Sequence, residues 1–211
     1  MTATASPSEI SIRDFFVAIA SAEGLHDAVS AATVAGGIGA SLLQMVASAP
    51  KTGSLSVSDR AKLVEASAAL ALVQKEMLEA IETETTVKIF TARNMPQASE
   101  TERRERYAAL QIALRAAADV PLEVMRLCRD GLKNAETVAR CSSRVRSADV
   151  QFAIALLQAA FNSARASLEA KLNSLADTRF IVSTIDEVAR LSNEAAAAAR
   201  AAESHLSVPP A

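Results

Sequence analysis

The stretch DRAKLVEASAALALVQKEMLEA, residues 59–80, decides the fold class of this chain. Its apolar residues recur at spacings of three and four, which is the period of one face of an α-helix. They are Leu63, Ala66, Leu70, Val73, Met77 and Ala80. Charged residues fall on the other faces. The pattern predicts a long amphipathic helix from Asp59 to about Asn94, with Pro96 just beyond its end.

The composition of the whole chain also favours helices packed on helices. Of its 211 residues 50% are hydrophobic but only 3% are aromatic, and tryptophan is absent. Alanine, which is abundant here, has the highest helix propensity, and small side chains let helices approach closely. Six glycines and six prolines supply few turns for a many-stranded sheet. We therefore expect an all-α, single-domain helical bundle that buries its own core.

Capping residues and periodicity place the other helices. Ser99 and Glu102 form a capping-box pattern, and Pro121 is expected to kink or divide the helix that they open, because proline lacks a backbone donor. The predicted helices run from Ser11 to about Gly24, from Asp27 to Ala49, from Ser99 to Cys141, from Ala148 to Leu175, and from Asp177 or Thr178 into an Ala-rich end. The predicted stripe of the fourth helix is Tyr107, Leu110, Leu114 and Ala117, and one face of the next helix carries Leu157, Phe161, Ala164, Leu168, Leu172 and Leu175. The first helix carries Phe15, Phe16 and Ile19, and the last carries Ile181, Ile185 and Val188.

The ends of the chain and its charge indicate its surroundings. Residues 1–10 and 206–211 are expected to be a flexible N-terminus and a tail around one domain, residues 11–205, and the Ala-rich end of the last helix is expected to be exposed. Met1–Glu9 lacks the features of a secretion signal, and Cys128 and Cys141 suit a reducing compartment as two buried thiols. The formal net charge of -2 provides no basic field for nucleic acid. A cytoplasmic location is expected.

One segment, Ala28 through Pro50, has no charged residue and is long enough to span a bilayer. It contains serine, threonine, glycine and glutamine but few large apolar side chains, so we expect the central helix of a bundle and no membrane association. No strand precedes Gly36, Gly37 and Gly39, which excludes a dinucleotide fingerprint. These glycines are expected to allow close packing between helices.

Short blocks spread from Ile12 to Leu191 have the order and spacing of a known family. They are Phe15-Phe16, Gly36, Leu42-Leu43-Gln44-Met45-Val46, Met95-Pro96, Ala-Leu-Gln-Ile-Ala-Leu at 109–114, Asp119-Val120-Pro121-Leu122 and the run Asp149 to Asp177. With these blocks the chain resembles the cyclodeaminase/cyclohydrolase family of folate enzymes, which includes the C-terminal domain of formiminotransferase-cyclodeaminase. The resemblance implies a helical bundle of that family's type and a homodimer.

The resemblance also implies chemistry on a one-carbon unit carried by tetrahydrofolate. The cyclodeaminase closes 5-formiminotetrahydrofolate to the 5,10-methenyl form with loss of ammonia, and the cyclohydrolase interconverts the methenyl and 10-formyl forms. Both reactions make or break a bond at a carbon between two nitrogens, which requires a carboxylate or similar group to move protons. A tetrahydrofolate derivative is the expected small-molecule substrate, and no metal or other cofactor is required.

Two motifs of the family's site are only partly kept in this chain. The Pro-Gly-Gly-Gly-Ser turn by the folate falls on His26-Asp27-Ala28-Val29-Ser30, where only Ser30 agrees. The catalytic-helix motif Asp-Ala-Glu-Ala-Phe falls on residues 82–86, where Glu82 keeps the charge and Glu84 keeps the residue. The losses lie at the expected site, and this pattern indicates changed or lost folate chemistry.

Motifs of the second half are also partly kept. The family's Gly-Asn falls on Ser142-Ser143, its later Ser-Asp keeps only Asp149, and two asparagines fall on Ser167 and Lys171. Arg144 lies in the loop that replaces the Gly-Asn turn, where it can hold an anionic substrate or a folate glutamate tail. A solvated, basic helix end explains Arg144 equally well, and Lys171 is equally explained as a surface lysine.

The resemblance makes Glu82 and Asp149 the acid/base candidates. The candidate substrate-binding residues are His26, Asp27, Ser30, Glu84, Arg144 and Lys171. Each has a structural interpretation as well: the third helix can become exposed at Glu82 and Glu84, Asp149 can face the macrodipole of its helix, and Asp27 can cap a helix.

Two functions stay open from the sequence. The first is a divergent cyclodeaminase/cyclohydrolase-type enzyme that acts on a folate one-carbon unit or on a related cyclisable small molecule. The second is a catalytically degenerate homodimer that keeps the scaffold and serves as a binding or partner subunit.

Overall fold

The computed structural model of this protein describes residues 11–20, 28–49, 55–81, 94–96 and 98–206. Within these ranges the chain forms six α-helices and one short 3-10 turn, and no strand. The helices are α1 (Ile12–Ala20), α2 (Ala28–Ser48), α3 (Val57–Ile81), α4 (Glu100–Cys141), α5 (Ser147–Leu172) and α6 (Thr178–Leu206), and the 3-10 turn is Arg144–Arg146. The predicted all-α class is confirmed.

Side-chain caps fix the starts of the helices. At α4 the capping box is formed as predicted: the Glu102 N–H donates to Ser99 Oγ at 3.1 Å, and the Ser99 N–H donates to Glu102 Oε2 at 2.8 Å. At α6 the cap is Asp177, whose Oδ1 accepts the Phe180 N–H at 3.0 Å. At α3 the cap is Ser56, and the helix begins at Val57, two residues before the predicted start.

Of the two predicted effects of Pro121, a kink or a division of the fourth helix, the structure excludes the division. α4 is continuous from Glu100 to Cys141, and Pro121 lies buried inside it. A proline in a helix interior removes one backbone hydrogen bond. Here the buried residues around it, Leu122, Val124 and Met125, pack into the core and favour the unbroken helix.

Pairs of contacts show how the helices run relative to one another. Ser48 lies 3.2 Å from Ser67 while Gly36 packs against Met77, so α2 and α3 are antiparallel. Contacts of Ala28 with Ser163 and of Gly39 with Ala153 make α2 and α5 antiparallel as well. α5 also runs antiparallel to α4, and α6 runs parallel to α4. The result is a bundle whose centre is shared by α2, α4 and α5.

The predicted stripe on α3 forms part of this core. Leu63, Ala66, Leu70, Val73 and Met77 are buried, and Ala80 is partly buried against the core. The larger core residues of α4 and α5 include Leu114, Leu132, Leu157, Phe161 and Leu168. Both cysteines are buried and unpaired, as expected. Burial raises the pKa of the Cys128 thiol far above its ordinary value.

Some predictions of which residues are exposed or buried are wrong. The Ala-rich end of α6 is not exposed, since Ala195, Ala198, Ala199 and Ala202 are buried; alanines let α6 approach its neighbours closely. Tyr107, which belongs to the predicted stripe of α4, is exposed. The structure also leaves Phe16, Ile19 and Ile185 exposed. α5 ends at Leu172, three residues before the predicted end.

One helix of the described ranges, Ala28–Ser48, is long and apolar enough to cross a membrane by length and composition. Its packing accounts for that composition. Leu43 and Val46 are fully buried between α3 and α5. A Cβ added at Gly36 would meet Met77 Cε at 2.9 Å, and one added at Gly39 would meet the Ala153 carbonyl oxygen at 2.9 Å. The close-packing role predicted for these two glycines is confirmed.

Candidate functional site

Four of the eight candidate site residues lie within the described ranges. They are Ser30, Arg144, Asp149 and Lys171. The other four, His26, Asp27, Glu82 and Glu84, lie outside the described residues. The geometry of the candidate site is therefore built from the ends of α2, α3 and α5.

Asp149 lies in the first turn of α5, next to the 3-10 turn. Its Oδ2 accepts a hydrogen bond from Arg146 Nη1 at 3.1 Å, and its side chain is partly exposed. The position suits a carboxylate, because backbone N–H groups at the start of a helix favour negative charge. Arg144 is exposed in the same turn, and its carbonyl accepts the Ser147 hydroxyl at 2.8 Å. This end of α5 therefore carries one carboxylate among guanidinium groups.

Lys171 lies in the last turn of α5. Its ammonium donates to Ser167 Oγ at 2.7 Å, and both side chains are partly buried. Two turns earlier, Ser163 Oγ donates to the Ala28 carbonyl at 3.2 Å, which ties this end of α5 to the first residue of α2. Ser30 follows within the first turn of α2. Ser163 is thus level with the start of α2, and Lys171 lies about 12 Å further along α5.

α3 ends, in its described part, at the same end of the bundle. Because α2 and α3 are antiparallel and Met77 packs on Gly36, Ile81 lies towards the start of α2. One end of the bundle therefore contains three helix termini: the start of α2, the last described residue of α3 and the end of α5.

The structure does not bring all four described candidates together in one chain. Asp149 and Lys171 are 22 positions apart on α5. At about 1.5 Å per residue this separates their Cα atoms by about 33 Å. Asp149 and Arg144 lie at one end of the bundle, and Ser30 and Lys171 lie at the other. Within one chain Arg144 therefore lies near Asp149 and Lys171 does not. The surroundings of Glu82 lie outside the described residues.

A groove between α2 and α3 was not predicted from the sequence. It has a volume of about 630 Å³, within the range of small-molecule sites. Its walls are mostly apolar, with polar groups from Gln44, Ser48, Ser67 and Arg60. The groove lies near the end of α2 and the start of α3, away from Ser30. No sequence motif marks it, since its lining residues are neighbours only after the two helices pack.

An ion-pair network between α4 and α6 was also not predicted. Arg126 binds the Glu187 carboxylate at 2.9 Å, and Glu194 accepts hydrogen bonds from Arg129 at 2.9 Å and from Lys133 at 2.7 Å. These bonds lower the pKa of Glu187 and bring the pKa of Glu194 to about 2. Both carboxylates are therefore ionised at neutral pH and already bound to cations. Such groups suit a structural link better than proton transfer.

Metal ligation has no support in the described residues. Among them, no group of three or more His, Cys, Asp or Glu side chains is placed to hold a metal ion. The hydroxyl, ammonium and guanidinium groups at the two ends of α5 instead suit an organic anion with hydrogen-bonding groups.

Comparisons with known proteins agree with the fold. The family model described as formiminotransferase-cyclodeaminase matches residues 11–190. A methenyltetrahydrofolate cyclohydrolase of Methylorubrum extorquens is 29% identical over 189 residues, which cover 88% of this chain and 90% of that protein. The crystal structure of a formiminotetrahydrofolate cyclodeaminase from Thermotoga maritima superposes with a TM-score of 0.82 at 20% identity, and the match covers 94% of this chain and 96% of that one.

Proposed function

The chain belongs to the formiminotransferase-cyclodeaminase family, and from this premise we propose that it hydrolyses the methenyl group of 5,10-methenyltetrahydrofolate. The observation that carries the proposal is the end-to-end match to a methenyltetrahydrofolate cyclohydrolase, which spans 90% of that relative. A match of this extent includes both ends of α5 and the helices that pack against it. The proposed reaction needs no metal and no cofactor besides the folate itself.

The reaction requires two proton movements. Water attacks the carbon between N5 and N10 while a carboxylate removes a proton from that water. The bond from this carbon to N5 then breaks as the proton of the added hydroxyl group is transferred to N5. The oxygen becomes the formyl oxygen, and the carbon remains on N10. The methenyl substrate is a cation, so conversion to the neutral 10-formyl product releases one proton overall.

We propose Glu82 and Asp149 for the proton transfers. Because Asp149 lies at the opposite end of the bundle from Lys171 and the end of α3, both carboxylates can serve one substrate only in the homodimer that the resemblance implies, with Asp149 supplied by the second copy. Glu82 keeps a carboxylate at the family's catalytic-helix motif, and it follows Ile81, the last described residue of α3. Ser30 and Lys171 lie at that same end of the bundle, which supports a substrate site there. Lys171 at this end, or Arg144 at the other end of α5, is suited to a carboxylate of the folate glutamate tail, because each side chain carries a positive charge.

The remaining candidates, His26, Asp27 and Glu84, are proposed to contact the pterin. They lie at positions of the family's folate turn and catalytic helix. The family's glycines are replaced by Ala28 and Val29 at this turn, so the backbone cannot approach a ligand as closely there. We therefore expect weaker folate binding than a glycine turn would give.

The test is turnover of 5,10-methenyltetrahydrofolate, followed by its absorbance, with the wild type and two variants. Glu82→Gln is expected to lower kcat by about 100-fold or more, because it removes the proposed base. Glu79→Gln is the matched control on the same helix; its exposed carboxylate pairs with Lys75 at 3.5 Å, and turnover is expected to stay unchanged. Ammonia release from 5-formiminotetrahydrofolate measures the family's other activity in parallel.

Three results would contradict parts of the proposal. Equal turnover by the wild type and Glu82→Gln would remove Glu82 from the mechanism. Folate binding without either reaction would support the degenerate binding subunit instead. Neither binding nor turnover would exclude the folate function.

A further inference from the structure

The groove between α2 and α3 lies apart from the residues proposed to contact the folate at the start of α2. Its wall on α2 includes Ser48, in the last turn of that helix, whereas Ser30 lies in the first turn. The 18 positions between these two serines correspond to about 27 Å along the helix axis. None of the residues that line the groove is a candidate for the folate chemistry. The groove is therefore available for a second ligand.

The groove is elongated and follows the axis of α3. Its lining residues on α3 recur at spacings of three and four, so they share one side of the helix. They are Arg60, Leu63, Val64, Ser67, Ala68 and Ala71. The 11 positions from Arg60 to Ala71 span about 16 Å along the axis. A ligand that fills the groove is therefore longer than it is wide.

Polar side chains lie near opposite ends of this groove. α2 and α3 are antiparallel, and Ser48 Oγ lies 3.2 Å from Ser67 Oγ. Gln44 precedes Ser48 by one turn and Ala71 follows Ser67 by one turn, so Gln44 is level with Ala71. Arg60 lies two turns before Ser67, on the other side of the serine pair. One end of the groove therefore carries a guanidinium group, and the other carries an amide.

The lining between these two ends is largely apolar. Leu63 and Ala47 are buried, and Val64 is 70% exposed. Ala68 adds a small side chain beside Val64. An alkyl chain that lies along these residues removes apolar surface of both molecules from water, which favours binding.

The guanidinium of Arg60 is available to a ligand. Among the residues that the structure describes, its side chain has neither an ion pair nor a hydrogen bond. Its neighbour Asp59 is bound elsewhere, since it accepts the Ser56 hydroxyl at 2.7 Å and lies 3.5 Å from Arg140 of α4. A positive side chain in the first turn of a helix gains nothing from the macrodipole. Helix stability therefore does not explain Arg60, whereas an anionic ligand does.

The amide of Gln44 is available as well. The hydroxyl groups of Thr33 and Ser41 donate to carbonyls of their own helix at 2.7 and 2.8 Å, and Ser48 contacts Ser67. Gln44 is half-buried, and its side chain makes no hydrogen bond within the described ranges. An amide can both donate and accept, so it suits a hydroxyl or carbonyl group of a ligand.

We propose that this groove binds an elongated carboxylate whose apolar chain ends in a hydrogen-bonding group. The carboxylate lies at Arg60, the chain lies along Leu63, Val64 and Ala68, and the far end contacts Gln44. One guanidinium group matches the single negative charge of a carboxylate and can bind it with two parallel hydrogen bonds. The proposal does not rest on the folate function, because it uses none of the residues assigned to that function.

Calorimetric titration of the full-length protein with a series of carboxylates tests the chain and the charge. Octanoate is expected to bind about 10-fold tighter than butyrate or more, because each buried methylene adds up to about fourfold in affinity. Octanol, which lacks the charge, is expected to bind about 10-fold more weakly than octanoate. Equal affinities for butyrate and octanoate, or no binding of octanoate at millimolar concentration, contradict the proposal.

Two arginine variants test whether the carboxylate lies at Arg60. Arg60→Gln is expected to weaken octanoate binding by about 10-fold and to leave octanol binding unchanged. Arg179→Gln is the matched control, because Arg179 is also exposed in the first turn of its helix but lies at the other end of the bundle; octanoate binding should not change. Equal losses in both variants would show attraction by net charge alone, and unchanged binding by Arg60→Gln would also overturn the proposal.

The contact at Gln44 is tested with a ligand that carries a second polar group. The wild type is expected to bind ω-hydroxyoctanoate about threefold tighter than octanoate, through a hydrogen bond with the amide. Gln44→Leu is expected to reverse this preference, because the hydroxyl group would then lie on apolar surface without a partner. A wild type that prefers octanoate, or a Gln44→Leu variant that keeps the wild-type preference, contradicts the contact.

Titration with octanoate in the presence of methenyltetrahydrofolate tests whether the two sites are separate. The dissociation constant of octanoate is expected to stay unchanged, because Ser48 lies about 27 Å from Ser30 along α2. An increase in proportion to the folate concentration would make the groove part of the folate site and overturn the proposal. A protein that binds octanoate but no folate refutes the proposed function and supports the separate groove site.

Discussion

Two pairs of helices in this bundle are joined by different means. α2 and α5 run antiparallel and meet through glycine, alanine and leucine, with Gly39 directly against the Ala153 backbone. α4 and α6 run parallel and are linked at their surface by Arg126 with Glu187 and by Arg129 with Glu194. The close packing of α2 on α5 depends on glycine, which has no side chain. The link between α4 and α6 depends on charged side chains.

The comparison explains where apolar and charged surface lie. Helices that approach through glycine need no long side chains at their margins, so the outer side of α2 and α5 remains apolar and free of charge. Helices linked by ion pairs carry long polar side chains along their edges. The charged groups between α4 and α6 pair with one another within one chain, whereas α2 carries no charged residue. Four variants test this contrast.

The largest effect is expected from Gly39→Ala. The added Cβ would lie 2.9 Å from the Ala153 carbonyl oxygen and 3.0 Å from Leu157 Cγ, and the backbone cannot move aside locally. We expect a loss of about 2 kcal/mol in the free energy of unfolding, measured with urea. Gly37→Ala is the control, because its nearest contact is 3.7 Å; it should be neutral or stabilising by up to about 1 kcal/mol. If Gly39→Ala and Gly37→Ala changed the unfolding free energy equally, close packing at Gly39 would be contradicted.

Arg126→Ala is expected to have the next largest effect. Arg126 binds Glu187 and Glu123, each at 2.9 Å, and the Glu187 pair is partly buried. We expect a loss of about 1 kcal/mol in unfolding free energy that shrinks at high salt. The control is Arg103→Ala, whose pair with Glu100 is well exposed; it should change stability by less than about 0.5 kcal/mol. A salt-independent loss would indicate packing by the arginine stem instead.

Acid is expected to weaken the α4–α6 link in a defined pH range. The hydrogen bonds of Glu194 with Lys133, Arg129 and Arg190 bring its pKa from 4.5 to about 2. A carboxylate whose pKa is lowered by folding stabilises the folded protein at pH values above its ordinary pKa. This contribution is lost as the pH falls towards the pKa of the folded state. Unfolding free energy should therefore fall between pH 4.5 and about 2.

The Glu194→Gln variant should show a shallower fall over this range, measured by urea unfolding at several pH values. An unchanged pH dependence would show that Glu194 does not contribute to the link.

The smallest effect is expected from Gly36→Ala. Its added Cβ would meet Met77 Cε at 2.9 Å, but this atom is the flexible end of a side chain. The helix propensity of alanine offsets the rearrangement, so unfolding free energy should change by less than about 1 kcal/mol. A loss as large as that of Gly39→Ala would show that Met77 cannot move.

Much of the fold was predictable from local pattern. The stripe from Leu63 to Met77 is buried as its spacing predicts, and the capping box at Ser99 and Glu102 is formed. Pro121 does not divide α4 as one form of the prediction had it, because its lost hydrogen bond is a local cost while the packing around it involves several helices. The candidate site was less predictable. The predicted helix from Ala148 to Leu175 places Asp149 and Lys171 near its opposite ends, but no motif shows which ends of α2 and α3 lie beside each of them.

By itself, the sequence determined the elements of this protein, because helix periodicity, propensity and caps depend on residues within a few positions of each other. Only the tertiary structure decided which ends and faces meet. It joined Ser163 to Ala28 and Arg126 to Glu187, pairs 135 and 61 positions apart. It also left Ile38, Met45 and Phe152 uncovered. Such contacts arise from the packing of whole helices, for which no short stretch of sequence carries a signal.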